Sequence, residues 1–437
     1  MDHSKKKDVD DKLSKDQTHG IALLSLGTFL EYFDCMLHIH LAVVLNDLFF
    51  SQNNRFTPFI PAFTFCSNFV LKPFGAILFG YLGDLLGRKV TIIIATTLMA
   101  CCCVVVAALP TYAQIGITAP IVLTICRAIQ NISVTAEVVG VEIYVTETVK
   151  TPRKQYRLVT FMVVIMSLGG LAALGVGYIV TSLIPPEWSK NAWRFAFLLG
   201  ACIGIIGAVA RRSLREASEF ADRSTIKQQL KEQHSNIAIQ PKTEVLTSIA
   251  YFGIRCGGPA CFYLIYIYCG EILRKDFGFT AAQVITNNFW VTFVDTIALL
   301  VLSYITYYIS PLKITRVSLI CFFTFLGIFL VQMHLNPSPQ VVFYFQCTAC
   351  CVTFDQVPAN ALFFKYFPVF ARFRYVAIIN AVALLVTISS MSFGMVFATA
   401  KLGISGLLVI LVPLGLFFHW SLKYFENKEK SDPHGIT

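Results

Sequence analysis

Twelve apolar runs of about 20 residues each recur along the chain, and a run of that length crosses roughly 30 Å of hydrocarbon as a helix. They lie near 21–45, 58–82, 90–110, 118–146, 157–183, 193–210, 246–272, 281–309, 316–334, 340–366, 375–399 and 402–422. A backbone in lipid must satisfy its own hydrogen bonds, so such runs predict an all-α integral membrane protein with twelve transmembrane helices. Only 14% of the 437 residues are charged, against roughly 25% in soluble domains, which excludes a water-soluble enzyme.

The formal net charge of +10 would suit a nucleic-acid partner if the bases clustered on one face, but they do not. Of the 35 Lys and Arg, 26 fall in alternate connections and 6 in the others. By the positive-inside rule this asymmetry reports orientation, with both termini cytoplasmic and no nucleic acid implied. Lys72, Arg127 and Arg255 remain inside spans. The first twenty residues are polar and the first apolar run is too long for a signal-peptide core, so no cleavable signal is expected. The 14 cysteines include the consecutive Cys101, Cys102 and Cys103 in an apolar run, and Cys347 with Cys350 in another. They read as small buried hydrophobes, with neither a disulfide framework nor a metal site.

Six spans precede and six follow one long polar stretch. The expected organisation is a cytoplasmic tail over 1–20, a six-helix bundle over 21–212, a cytoplasmic linker over 213–245, a second bundle over 246–422 and a tail over 423–437. Two such halves, each of two three-helix repeats, are a transporter architecture with pseudo-twofold symmetry and a midplane site.

Ionisable groups deep in a span are expensive and mark function. Glu31, Arg127 and Arg255 lie about nine or ten residues into spans one, four and seven, close to half of the core at 1.5 Å per residue. Asp355 lies deeper in span ten. These are the first helices of four successive repeats, which favours one central cavity. Glu31, Asp34 and His38 follow i, i+3, i+7 and share a helical face. They suit proton uptake and release, or alternatively neutralise Arg127 or Lys72. Arg127, Gln130 and Glu137 share a face of span four, and Arg127 is the candidate for gripping a substrate carboxylate. Arg255, with Tyr251, Phe262 and Tyr266, is its counterpart in the second half. The alternative pairs Arg127 with Glu31 or Asp34, and Arg255 with Asp355 or Asp295. Asn287, Asn288, Asp295, Asp355 and Gln356 complete the expected polar lining.

After span two the chain reads Gly80-Tyr81-Leu82-Gly83-Asp84-Leu85-Leu86-Gly87-Arg88-Lys89. This resembles the G-x-L-a-D-r-x-G-R-k signature of the major facilitator superfamily. Gly80 and Gly83 allow close helix approach, Gly87 permits a turn, and Asp84 with Arg88 can form a latch. Further matches resemble the metabolite:proton symporter branch, which includes proline/betaine, citrate and α-ketoglutarate transporters. They are Glu31-Tyr32-Phe33-Asp34, Lys72-Pro73-Phe74-Gly75, the Arg127 to Glu137 stretch, Glu147, Ala192-Trp193-Arg194-Phe195, Arg211 to Phe220, and Tyr366-Phe367-Pro368 to Arg372. The chain departs from that branch where Lys72 stands for arginine and where Gln130 to Glu137 lacks its glycines. The signature's repeat between spans eight and nine is reduced to Ser310, Pro311, Leu312 and Lys313. The second half, with Arg255-Cys256-Gly257-Gly258-Pro259, looks like a divergent lineage.

The resemblance implies the major facilitator fold and alternating access in a bacterial inner membrane. Gly80, Asp84, Gly87, Arg88, Lys89, Glu147 and Arg153 would act in gating. The expected activity is proton-coupled import of a small organic anion or zwitterion, from amino acids and betaines to di- or tricarboxylates or a citrate-type siderophore. The proton gradient would be its energy source, with no cofactor, and a monomer in the bilayer its working form. Proton-antiport efflux and a non-transporting membrane receptor are the alternatives. No nucleophile–base set or metal cluster suggests an enzyme.

Overall fold

The computed structural model describes residues 15–49, 70–179, 186–213 and 244–431, and every regular element among them is helical. In the first half these are α1 (Lys15–Phe49), α2 (Lys72–Leu85), α3 (Arg88–Ala108), α4 (Thr118–Thr148), α5 (Pro152–Tyr178) and α6 (Pro186–Ala210). In the second half α7 runs Val245–Lys275, α8 Ala281–Tyr308, α9 Pro311–Leu335 and α10 Pro339–Cys351, followed by α11 (Val369–Leu402) and α12 (Leu407–Ser431). Prolines open α5, α9 and α10, where a missing N–H costs nothing. Thr280 and Gln283 form a capping box at the start of α8.

Helix ends differ from the apolar windows. The 35 residues of α1 span about 52 Å at 1.5 Å per residue. A hydropathy window sees only the hydrocarbon part, whereas the helices run on into the polar interface. Pro58, Pro61 and the start of span two lie outside the described residues, as does nearly all of the linker.

Two spans are irregular. α7 contains Pro259 and then a π-helical stretch, Tyr263–Tyr268. The expected continuous span 340–366 is instead broken. After α10 the backbone leaves the helix at Val352, passes a 3₁₀ turn at Val357–Ala359 and resumes as a short helix, Asn360–Phe364. Pro358 has no N–H for the Phe354 carbonyl and its ring would clash there, and β-branched Val352 and Thr353 add to the cost of helix.

Helix neighbours repeat between the halves. α1 packs on α5 and α6, α2 on α4, and α3 on α6; correspondingly α7 packs on α11 and α12, α8 on α10, and α9 on α12. This is the pseudo-twofold arrangement of two six-helix bundles. The bundles meet along two seams, α5 with α8 and α2 with α11. Large apolar side chains such as Phe74 and Phe393 stand 63% and 73% exposed on the outer surface, as a lipid-facing shell requires.

Candidate functional site

In the first bundle Asp34 of α1 is buried against α3 and α4. Its Oδ2 takes Arg127 Nη1 at 3.3 Å and Gln130 Nε2 at 2.9 Å, and its Oδ1 takes the Cys103 thiol at 3.3 Å. Removal of both charges from water is costly, and the added hydrogen bonds offset part of that cost. The guanidinium also lies 5.3 Å from the Phe197 ring centroid. Arg127 Nε and Nη2 and Gln130 Oε1 are buried with no hydrogen-bond partner. The side chains of Glu31, His38 and Glu137 lie outside the described residues.

In the second bundle Arg255 of α7 is buried. Its Nε donates to Asn380 Oδ1 at 2.8 Å, its Nη2 reaches the same oxygen, and its Nη1 donates to Asn360 Oδ1 at 3.2 Å. Amide oxygens thus hold it, and the pairing with Asp355 or Asp295 is not formed. Asn360 then donates from Nδ2 to Glu142 Oε1 of α4 at 3.0 Å, linking the bundles. Asp355 belongs to the broken span, beside Gly258 of α7, and accepts from the Gln356 N–H at 2.5 Å.

The remaining expected residues divide. Tyr266, in the π-helical stretch, packs 5.3 Å from Phe262 and lies near Asp295 and Tyr32. Asp295 of α8 takes Ser167 of α5 at 3.5 Å, on the seam between bundles. Asn287 turns instead to Gln346, at 2.8 Å, within its own bundle. Asn288 Oδ1 and Gln356 Oε1 are buried and unpartnered. Tyr251, expected to line the site, is fully buried among Phe363, Phe364 and Phe367. Its ring supports Arg255 from 6.0 Å.

The glycine-rich signature builds a latch at the end that carries the basic loops. Gly87 adopts φ 95°, ψ 165°, a region open almost only to glycine, and so lets α3 restart directly after α2. A Cβ on Gly80 would stand 3.0 Å from the Arg374 Cα, so α2 and α11 touch at backbone distance. Arg88, fully buried, grips Glu147 through Nε and Nη2, each at 3.0 Å, and donates to the carbonyls of Gly83 and Val369. Asp84, the expected partner of Arg88, is the looser one at 3.4 Å and also accepts the Arg374 N–H at 3.2 Å. Arg372 completes the set on Glu147 at 3.2 Å. Lys89 is half-buried beside the latch, while Arg153 is exposed at the start of α5. Burial pushes the Asp84 carboxyl up to about 6, against the lowering pull of Arg88.

Sequence reasoning missed Glu142, Asn360, Asn380 and Arg374 as members of these clusters. Glu142 carried a usable signal, since it is a further acid fifteen residues beyond Arg127 in the same span. The asparagines carried none without the packing of α11 and the break in span ten.

The bacterial permeases agree with this architecture. α-Ketoglutarate permease of Escherichia coli is 28% identical over 392 residues, which cover 86% of this chain and 87% of the permease. The proline/betaine transporter of Salmonella typhimurium is 31% identical over 213 residues, 48% of this chain and 42% of the transporter. Among solved structures, the proton:xylose symporter XylE bound to 6-bromo-6-deoxy-D-glucose superposes with a TM-score of 0.74 at 14% identity, covering 94% of this chain and 95% of XylE. FucP in its outward conformation gives 0.66 at 14% identity, with 93% and 98% covered. The fold is therefore that of a twelve-helix transporter and not an enzyme. The family model described as Major Facilitator Superfamily matches residues 24–273, more than half of the sequence, and the chain belongs to that superfamily.

Proposed function

We propose that the protein imports a small organic anion or zwitterion together with protons, by alternating access across a bacterial inner membrane with both termini in the cytoplasm. The observation that carries this reading is the pair of buried arginines, one per bundle, with unspent capacity for an anion. Arg255 donates to neutral amide oxygens and forms no direct ion pair among the described residues, and Arg127 keeps two donor groups without a partner. A carboxylate that reaches either arginine gains charge-assisted hydrogen bonds from it. Asp34, hydrogen-bonded to Arg127, is a proton acceptor whose release from that pair accompanies binding. The similarity to α-ketoglutarate and proline/betaine transporters supports the substrate class. The basic loops support a cytoplasmic position for the latch, and the closed latch would then correspond to a carrier shut towards the cytoplasm.

Purified protein in liposomes, offered labelled α-ketoglutarate, citrate, proline and glycine betaine under an imposed proton gradient, tests the reading. Accumulation of at least one of them, lost on adding a protonophore and in Arg127→Ala and Arg255→Ala, is expected. Uptake indifferent to the gradient, or confined to organic cations, would falsify it.

A further inference from the structure

Glu142 is a buried acid outside the proton-coupling set read from the sequence. It is 5% exposed, in α4, and lies on the boundary between the bundles. One oxygen accepts from Asn360 and the other has no partner. The charged groups that face it are Arg255 of α7 and Asp355 of the broken span, with the Tyr251 hydroxyl of α7 close by. On its own helix the next acid, Glu147, is taken up by Arg88 and Arg372. One cation is therefore shared by two carboxylates, and Arg255 touches neither of them directly. Along α4, Glu142 sits six residues from the helix end, about 9 Å, and fifteen residues from Arg127, about 22 Å. It thus stands beside Arg255, between Arg127 and the latch, where opening of the latch would bring cytoplasmic water to it.

We propose that Glu142 is a proton carrier whose charge is exchanged against that of the substrate at Arg255. An anion bound by Arg255 takes over as its counter-charge. A carboxylate displaced from that role, in a site from which water is excluded, binds a proton taken from the outer aqueous phase. When the basic end opens, the substrate leaves, Glu142 gives its proton to cytoplasmic water, and its negative charge again balances Arg255. Substrate and proton then move inward together with no change in the net charge around Arg255.

This inference rests on the proton-coupled reading, and two measurements separate their failures. The first is the infrared difference spectrum between wild type and Glu142→Gln in lipid nanodiscs at pH 7, before and after adding α-ketoglutarate, with Asp34→Asn as comparator. A protonated-carboxyl band that is missing in Glu142→Gln and still present in Asp34→Asn is expected, and it is expected to grow where the anion binds. A difference spectrum that shows only ionised carboxylate at Glu142 from pH 5 to 8 overturns the proposal, whatever is transported. The second is uptake: Glu142→Gln should lose gradient-driven accumulation of α-ketoglutarate at least tenfold while keeping counterflow exchange within about threefold. Glu142→Asp, which retains the acid, should recover accumulation and guards against misfolding of the glutamine variant. Undiminished accumulation in Glu142→Gln sinks the inference alone, whereas gradient-independent uptake by wild type sinks the symport reading itself.

Discussion

Two buried arginines carry the same charge in opposite circumstances. Arg127 touches a carboxylate and Arg255 touches amides and the Tyr251 ring, so substitutions around them should differ in kind. Removing one partner of a buried ion pair leaves an uncompensated charge and costs about 3–5 kcal/mol. Asp34→Asn and Arg127→Gln should each lower the Tm of the detergent-solubilised protein, and the double variant should regain most of the loss while staying inactive in uptake. Equal Tm values for all four proteins would show that the pair is not formed. Asp84 makes a prediction in pH. Its carboxyl is held at about 6 in the closed latch, above the ordinary value near 4 that it would take once exposed. The closed form therefore binds the proton more tightly, and acidification from pH 7 through 6 should favour closure. That stabilisation fades again as pH rises through 6. The distance between labels on exposed Leu86 and Lys423 should shorten over this range in wild type and stay flat in Asp84→Asn. The Asp34, Arg127 and Gln130 cluster was legible in the sequence because span depth and helical spacing together define a face. The same spacing put Tyr251 on the Arg255 face of α7 but could not show Phe363, Phe364 and Phe367 around it, because periodicity gives a face and not what packs against it.

At the scale of the element, the breaks carry more information than the regular helix. Apolar length announced all twelve helices, and the signature announced the latch turn. Pro358 signals a kink or a close helix contact in span ten but not the full break, because one proline and two β-branched residues occur in many intact spans. Gly257 and Gly258 of α7 leave room for the broken segment, since a Cβ there would meet the Phe354 carbonyl and the Asp355 carboxylate. Its consequence is local, since Asn360 begins the short helix after the break and reaches Arg255 and Glu142 from there. The turn at Gly87 allows a simple test. An alanine there must adopt a backbone conformation costing of order 1–3 kcal/mol, so Gly87→Ala should lower the Tm and weaken the Arg88–Glu147 grip. An unchanged Tm, with unchanged separation of the Leu86 and Lys423 labels, would mean that the turn relaxes without strain.

For the whole molecule, the latch joins three pieces of chain distant in sequence through one carboxylate, Glu147. Glu147→Gln takes from Arg372 its carboxylate and leaves Arg88 only the looser Asp84, and that uncompensated buried charge costs about 3 kcal/mol or more. That is over a hundredfold in the ratio of closed to open forms, and the same two labels should move apart. The two seams between the bundles are held by different means. Beside α2 and α11 the ties are the ion pair from Arg372 of α11 to Glu147 of α4 and the Arg374 N–H on the Asp84 carboxylate. Along α5 and α8 they are the Ser167–Thr296 contact at 2.8 Å, Ser303 on the Arg157 carbonyl at 3.1 Å, and the Arg157 guanidinium over Tyr307. Among the described residues, Lys313 in the shortened turn between α8 and α9 joins no ion pair. A chain whose described residues lock the bundles ionically at one edge and not at the other is built as a door is. Opening is expected to hinge along α5 and α8 and to free the edge at α2 and α11, so that whatever acts on Glu147 acts on the handle.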